Sequence, residues 1–207
     1  MRKLVTAAFV TLDGVMQAPG GPKEDPSGGF EFGGWLAPLG DDPILAEELG
    51  KLFGQKYDLL LGRRTYDIFA SYWPSYDQRG PDAEIARQFN AVTKYVATHS
   101  TKPLSWKGSV ALHDAAKDVA ELKRQDGPAL LTQGSADLIQ TLLKHDLVDE
   151  LKLLTFPLIL GKGKRLLREG IPPGTFKMVS SRISPKGLIA ATYVRAGGVK
   201  TGDVDAR

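Results

Sequence analysis

The sequence predicts an α/β domain of three layers, in which a mostly parallel, twisted sheet is covered by helices on both faces and ends in an antiparallel hairpin. Three observations predict this architecture. Short buried strands alternate with amphipathic helices through residues 57 to 145. The first strand, residues 2 to 12, is apolar on both faces, as expected of a central strand. The last two β segments, 175 to 184 and 188 to 195, meet at Pro185-Lys186-Gly187, which is typical of a hairpin turn.

The helices are predicted from apolar residues that recur at helical spacing behind a suitable N-terminus. Asp42 followed by Pro43 supplies the N-cap and the first-turn proline of the first helix. A long strand at 149 to 160 contains Pro157, which predicts a bulge or bend there. The predicted helices are 43 to 55, 63 to 73, 82 to 90, 114 to 125 and 136 to 145, and the strands between them are 57 to 61, 93 to 98, 109 to 112 and 128 to 132.

The chain of 207 residues is expected to form one domain, residues 1 to 196, followed by a flexible polar tail at 197 to 207. Residues 17 to 40 are rich in glycine and proline and also contain Phe30, Phe32 and Trp35. Long segments of this kind often cover binding sites, so we expect a lid here.

Composition excludes several classes of function. The chain has no cysteine, which excludes disulfides, thiolate metal sites and cysteine nucleophiles. Its three histidines are far apart in sequence, so no metal site is expected. The net charge of +3 is scattered along the chain, which argues against a nucleic-acid partner. No apolar run is long enough for a membrane span, and a cytoplasmic location is expected.

Two glycine turns, each after a strand and before a helix, are candidate anion sites. The first is Gly62-Arg63-Arg64-Thr65, where two guanidinium groups adjoin a helix N-terminus and suit a phosphate. The second is Gln133-Gly134-Ser135, which has no cation of its own. The alternatives are solvated arginines at the first turn and an ordinary loop glycine at the second. A basic run, Lys162, Lys164, Arg165 and Arg168, is interpreted as a solvated face, with a substrate phosphate site as the alternative.

Five segments, in order, carry a resemblance to a known superfamily. They are KLVTAAFVTLDGVM at 3 to 16, LLLGRRTYDIF at 59 to 69, YVATHS at 95 to 100, ALLTQGSADLIQTLL at 129 to 143 and DELKLLTFPLILGKGKRLL at 149 to 167. The chain resembles the dihydrofolate-reductase-like superfamily, and more closely the reductase domain of the bifunctional riboflavin-biosynthesis deaminase-reductase. The resemblance implies a dihydrofolate-reductase-like fold with NADPH as cofactor.

The resemblance also implies roles for individual residues. Those implied to bind NADPH are Ala8, Phe9 and Met16 at the nicotinamide, Gly62, Arg63, Arg64 and Thr65 at the 2'-phosphate and pyrophosphate, Thr98, His99 and Ser100 near the adenosine, and Gln133, Gly134, Ser135, Ala136, Asp137 and Leu138 at the second turn. Thr155 and Met16 are implied to contact the substrate. From the residues alone, Ala8, Phe9 and Met16 are equally typical of core packing.

The sequence departs from the family at two places. Gln133 stands where the family usually has the first of two glycines, which makes a cis peptide bond in that turn less expected. The acid of dihydrofolate reductases lies on the first helix, and here only Glu47 and Glu48 are near that place. They are the catalytic candidates, with surface glutamates as the alternative, and water is the other candidate proton donor.

The sequence therefore predicts an NADPH-dependent reductase that transfers hydride to a planar heterocyclic small molecule, pteridine- or pyrimidine-like. The alternative is a non-catalytic NADPH-binding or sensor protein that has lost the acid. A homodimer is expected, because the late strands are rich in apolar residues and members of the family often dimerise.

Overall fold

A computed structural model describes residues 1–204 of the chain. One sheet of eight strands forms its centre. The strands are β1 Leu4–Thr11, β2 Tyr57–Gly62, β3 Lys94–Ala97, β4 Ser109–Leu112, β5 Ala129–Thr132, β6 Glu150–Phe156, β7 Phe176–Ile183 and β8 Ile189–Arg195. The α-helices are α1 Pro43–Phe53, α2 Arg63–Tyr72, α3 Ala83–Ala91, α4 Ala115–Arg124 and α5 Ala136–Lys144.

The order of the strands across the sheet is β4-β3-β2-β5-β1-β6-β8-β7. The first six strands of this order pair in parallel, whereas β8 is antiparallel to both of its neighbours. Strands β2 and β5 are adjacent, so the turns that follow them come out side by side at one edge of the sheet. The predicted α/β fold with an antiparallel C-terminal hairpin is confirmed.

Helices cover both faces of the sheet, as the alternation of buried leucines in β2 requires. Leu60 belongs to a core cluster with residues of α4 and α5, including Val119 and Ile139. Leu59 and Leu61 belong to a second cluster on the opposite face, with residues of α1, α2 and α3. All three leucines are fully buried. The central strands are therefore covered on both sides.

Residues 17 to 40 are packed against the domain by their aromatic side chains. Phe30 and Trp35 are buried in a third core cluster, which also contains Phe156 at the end of β6. The indole nitrogen of Trp35 donates a hydrogen bond to the backbone oxygen of Gln17 at 2.8 Å. We call residues 17 to 40 the covering loop. Its predicted role as a lid stays a prediction.

The boundaries differ from the sequence prediction mainly at β6. This strand ends at Phe156, immediately before Pro157, so the predicted strand to residue 160 and a bulge within it are wrong, whereas the predicted bend at Pro157 is present. Proline cannot donate to a β ladder, so the pairing ends where the chain bends. The irregularity in the late strands lies in β7, between Met178 and Ser180.

The predicted tail begins in contact with the domain. The amide of Thr175 donates to the oxygen of Gly197 at 2.8 Å, and its hydroxyl donates to the oxygen of Gly198 at 2.9 Å. The last predicted tail residues, 205–207, lie outside the described residues.

Lys94, at the start of β3, is a buried lysine held by backbone oxygens. Its ammonium donates to the oxygens of Asn90 at 3.0 Å and Val92 at 2.8 Å. It also lies 4.6 Å from the ring centroid of Trp106. None of the ion pairs among residues 1–204 includes Lys94, and burial lowers the pKa of its ammonium to about 8.

Replacement of Lys94 by methionine is expected to change how stability depends on pH. Above pH 8 the folded wild-type chain has released a proton that the unfolded chain keeps up to about pH 10.4. The free energy of unfolding of the wild type should therefore rise between pH 8 and 10, by at most about 1.4 kcal/mol per pH unit relative to Lys94→Met. Urea denaturation at pH 7, 8, 9 and 10 measures this difference. Lys102→Met, at an exposed site, is the control, and a difference for Lys94→Met that is constant with pH would contradict the interpretation.

Candidate functional site

The two glycine turns contact each other directly. The first joins β2 to α2, and the second joins β5 to α5. The amide of Gly62 in the first turn donates to the oxygen of Gly134 in the second at 3.0 Å. The hydroxyl of Thr132 contacts the same residue, donating to its oxygen at 3.2 Å. The N-termini of α2 and α5 are consequently held side by side.

Glycine is required at this contact for steric reasons. A Cβ atom at Gly62 would lie 2.2 Å from the hydroxyl oxygen of Ser135 and 2.9 Å from its backbone nitrogen. A Cβ atom at Gly134, where φ is +152°, would lie 2.7 Å from the hydroxyl of Thr65. The room that Gly62 provides is therefore filled by Ser135 of the neighbouring turn. The Gly134-Ser135 peptide bond is cis. A cis bond here was less expected, because Gln133 stands in place of the first glycine of the family's pair.

The two helix N-termini differ in how their amides are capped. Ser135 is the N-cap of α5, and its hydroxyl accepts from the amide of Leu138 at 3.4 Å. The N-cap of α2 is Gly62, which has no side chain to accept from the first-turn amides. Helix N-termini attract anions through their free amides and the helix dipole. The first turn of α2 is therefore a suitable place for a phosphate oxygen.

A cavity of about 270 Å³ lies over these turns, beneath the covering loop. Its lining includes ten of the residues that the resemblance assigned to the cofactor: Phe9, Met16, Arg63, Arg64, Thr65, Gln133, Gly134, Ser135, Ala136 and Asp137. The remaining lining residues are Gln17, Ala18, Pro19, Glu24, Asp25, Ile68, Phe69 and Lys164. Parts of the chain that are far apart in sequence thus enclose one space.

Arg63 and Arg64 have different partners. The Arg63 guanidinium pairs with Asp67 on its own helix at 2.9 Å and donates to the backbone oxygen of Lys102 at 3.1 Å. Lys102 follows β3, so Arg63 reaches toward that loop. Arg64 instead pairs with Asp25 of the covering loop at 2.8 Å. The two guanidinium groups are therefore not held as one cluster.

Asp25 joins the covering loop to two other parts of the chain. Its side chain is only 8 % exposed. One oxygen accepts from Arg64 and from the hydroxyl of Ser27 at 2.7 Å, and the other accepts from the Lys164 ammonium at 2.7 Å. Burial by itself would raise the pKa of this carboxyl, but the hydrogen bonds from Lys164 and Ser27 outweigh it and lower the pKa. Asp25 is therefore ionised at neutral pH.

Gln17 completes this connection. Its side-chain amide donates to the backbone oxygens of Asp25 and Ser27, both at 2.9 Å, and its side-chain oxygen accepts from the amide of Lys164 at 2.9 Å. Sequence reasoning missed Gln17 and Asp25, and it interpreted Lys164 as part of a solvated face. That interpretation is wrong for Lys164, because its ammonium pairs with the buried Asp25 at the cavity.

Glu24 lies beside Asp25 in sequence and also lines the cavity. It is half-buried. Its Oε2 atom accepts from the amides of Gly20 at 2.6 Å and Gly21 at 3.1 Å. Burial raises the pKa of the Glu24 carboxyl above its ordinary value, although the two amides act in the opposite direction. Nothing in the local sequence distinguishes this glutamate from a solvated loop residue.

Comparison with known proteins agrees with the fold. The model of the RibD C-terminal domain family matches residues 2–190. The chain belongs to the RibD C-terminal domain family. The uncharacterized protein YyaP of Bacillus subtilis (strain 168) is 24% identical over 196 residues, which are 93% of this chain and 94% of YyaP.

Two solved structures have the same fold. A putative riboflavin biosynthesis protein from Shewanella sp. PV-4 superposes with a TM-score of 0.60 at 20% identity, over 94% of this chain and 99% of that one. A dihydrofolate reductase from Enterococcus faecalis, complexed with NADP(H) and RAB-propyl, superposes with a TM-score of 0.56 at 15% identity, over 93% and 96% of the two chains. The predicted dihydrofolate-reductase-like fold is confirmed.

In this RibD C-terminal domain, the two candidate acids of α1 lie away from the cavity. Glu47 forms an ion pair with Arg182 of β7, and that hydrogen bond lowers the pKa of its carboxyl. Glu48 pairs with Lys51 at 2.6 Å and with Arg182 at 3.5 Å. Neither glutamate is among the lining residues of the cavity. Both correspond to the surface interpretation that the sequence left open.

The other residues implied by the resemblance are not among those that line the cavity. Ala8 and Leu138 are buried in the first core cluster. Thr98 and Ser100 form a turn after β3, in which the Thr98 hydroxyl accepts from the Ser100 amide at 3.0 Å. His99 between them is exposed. Thr155 lies in β6, paired with Val10 of β1.

Alanine at Gly62 is expected to lower stability, because its methyl group would collide with Ser135. Overpacking of this kind costs about 1–3 kcal/mol. The matched control is Gly50→Ala within α1, where an added Cβ meets nothing within 4 Å. That substitution should raise stability by about 0.5–1 kcal/mol through helix propensity. Urea denaturation of both variants measures the two effects. An unchanged midpoint for Gly62→Ala would show that the contact between the turns is not rigid.

Proposed function

We propose that the protein is an NADPH-dependent reductase that transfers hydride to a planar heterocyclic small molecule, pteridine- or pyrimidine-like. The observation that carries this proposal is the cavity that Phe9 and Met16 share with the two glycine turns. Membership of the RibD C-terminal domain family and the dihydrofolate-reductase-like fold support it. A bound NADPH would supply the hydride.

The residues present fit the phosphate groups of such a cofactor. The uncapped first turn of α2, together with Thr65 and Arg64, would hold the pyrophosphate with the turn at Gly134 and Ser135. Arg63, which reaches toward the loop after β3, would meet the 2'-phosphate. Thr98, His99 and Ser100 of that loop would flank the adenosine.

The apolar end of the cavity fits the reacting ring. Phe9 is half-buried and packs edge-on against Phe156 at 6.2 Å between ring centroids. Met16 lines the cavity near the start of the covering loop. Together with the backbone of Ala8, these residues would hold the nicotinamide, and Met16 and Thr155 would contact the substrate. The covering loop would exclude water from the reaction.

Arg63 and Arg64 are expected to contribute differently to cofactor binding. Arg63→Ala should weaken NADPH binding by about 10–100-fold, since hydrogen bonds to charged groups are worth about 1.5–3 kcal/mol, and should leave NADH binding unchanged. Arg64→Ala should weaken the binding of both cofactors. Isothermal titration calorimetry with NADPH and NADH measures these affinities.

The control for these variants is Arg87→Ala on α3, where Arg87 forms a similar exposed pair with Glu84. It should leave both affinities unchanged. The cofactor proposal would be wrong if wild-type protein bound neither nucleotide. Unchanged NADPH affinity in Arg63→Ala would remove the assigned role of that residue.

A non-catalytic NADPH-binding protein is the second candidate. The positions of Glu47 and Glu48 away from the cavity favour it, because the family acid then has no counterpart on α1. Turnover distinguishes the two candidates. A reductase should consume NADPH with at least one of dihydrofolate, dihydrobiopterin and a set of aminopyrimidines, whereas a sensor should bind NADPH and consume none.

We also propose a homodimer formed through β7. This edge strand exposes Met178, Val179 and Ile183, whose side chains are 53%, 53% and 71% accessible. An exposed apolar edge strand is a ready surface for pairing with a second chain. A homodimer would bury these residues.

Light scattering of the protein as it elutes from a size-exclusion column should give about twice the chain mass of 22.4 kDa. Val179→Lys combined with Ile183→Lys should reduce the mass to that of a single chain. Val110→Lys, at an exposed position of β4 on the opposite edge of the sheet, is the control and should leave the dimer intact. A monomeric wild type would overturn the proposal.

A further inference from the structure

Two consecutive carboxylates of the covering loop, Glu24 and Asp25, line the same cavity as Phe9 and Met16. Their surroundings differ in a way that bears on proton transfer. When the environments of two neighbouring carboxyl groups give them different pKa values, one often stays protonated and acts as an acid while the other stays charged.

Asp25 is unsuitable as a proton donor. Arg64 and Ser27 occupy one of its oxygens, and Lys164 occupies the other. These partners favour the charged form, so the carboxylate keeps its charge at neutral pH. Its side chain instead fastens the covering loop to α2 and to the segment after β6.

Glu24 has the opposite arrangement. Both amide hydrogen bonds, from Gly20 and Gly21, reach the same oxygen, Oε2. The protonated acid can therefore keep Oε2 as the acceptor and carry its proton on Oε1. Arg64 and Lys164 form ion pairs with Asp25, so neither cation is paired with Glu24. The negative charge of Asp25 also disfavours ionisation of Glu24. Of the other charged side chains that line the cavity, Arg63 pairs with Asp67 and Asp137 pairs with Arg168.

We propose that Glu24 is the proton donor of the reductase, an inference that rests on the proposed function. The proposed step applies to a planar heterocycle that contains a C=N bond. The carbon of that bond receives the hydride that the cofactor supplies, and the nitrogen receives the proton from Oε1 of Glu24. The products are the C–H and N–H bonds of the reduced ring, oxidised cofactor and the Glu24 carboxylate, which regains its proton from water.

The deciding variant is Glu24→Gln, which keeps the shape of the side chain and removes the acid. Its turnover number should fall by at least about 100-fold, within the range of general acid catalysis, while its affinity for NADPH stays within twofold of wild type. The wild-type rate should decline as rising pH ionises Glu24, and the residual rate of Glu24→Gln should lack that decline. The rates are measured with whichever compound the wild type reduces fastest in a panel of dihydrofolate, dihydrobiopterin and aminopyrimidines.

The matched control is Glu31→Gln in the same loop. Glu31 is exposed, pairs with Lys162 and does not line the cavity. It should keep the rate and the pH profile of wild type.

A second measurement does not depend on turnover. NMR of protein labelled with ¹³C at the glutamate carboxyl groups should give one resonance that titrates above the ordinary glutamate range. Glu24→Gln should lack this resonance, and Glu31→Gln should keep it.

The outcomes separate this inference from the function on which it rests. A wild type that reduces a panel compound, together with a Glu24→Gln variant of the same rate and pH profile, would overturn the donor assignment alone. A Glu24 carboxyl that titrates in the ordinary range would do the same. A wild type that binds NADPH and reduces no compound would overturn the proposed function, and the donor role with it.

Discussion

The contact between the turns at Gly62 and Gly134-Ser135 determines where everything else in the site lies. Strands β2 and β5 are neighbours, but adjacency alone does not fix the direction in which the following helices leave the sheet. The hydrogen bond from the Gly62 amide to Gly134, and the close approach of Ser135, bring the N-termini of α2 and α5 together. Two partial positive charges thus face one cavity. The absence of a side chain at Gly62 leaves room for Ser135. This packing forms the floor of the cavity that a ligand would contact.

A second set of contacts closes the cavity from above. Asp25 pairs with Arg64 of α2 and with Lys164 after β6, so one carboxylate connects three distant segments. Removing such a buried charge from water is costly, and the two cations and Ser27 offset that cost only while all of them are in place. The aromatic side chains of Phe30 and Trp35 are buried in the core and hold the covering loop against it. The loop is therefore fixed by packing at one end and by charge over the cavity.

The sequence was sufficient for the elements of the fold and for the floor of the site. Periodicity and capping residues predict the strands and helices, and the glycine turns stand at strand ends that parallel pairing brings to one edge. The sequence was not sufficient to predict the contacts by which the covering loop and Lys164 close the cavity. Asp25 and Lys164 are 139 positions apart, and Gln17 and Lys164 are 147 apart. None of these three residues lies in a periodic pattern, so local rules interpret them as solvated residues. The predicted end of β6 was wrong for a related reason. The apolar residues continue past Pro157, whereas the strand pairing ends at Phe156.

The arginine pair illustrates why residue types alone do not define a phosphate site. Residues i and i+1 of a helix do not point in the same direction, so Arg63 and Arg64 diverge from the first turn of α2. Arg63 extends to the backbone of Lys102, whereas Arg64 extends to Asp25. A phosphate that binds Arg64 must share it with, or take it from, Asp25, and this couples the anion to the position of the covering loop. A phosphate at Arg63 meets the exposed Asp67 of the same helix and the backbone oxygen of Lys102, and neither belongs to the covering loop. If the protein binds NADPH as proposed, specificity for the 2'-phosphate would depend on Arg63, and the position of the covering loop would depend on Arg64.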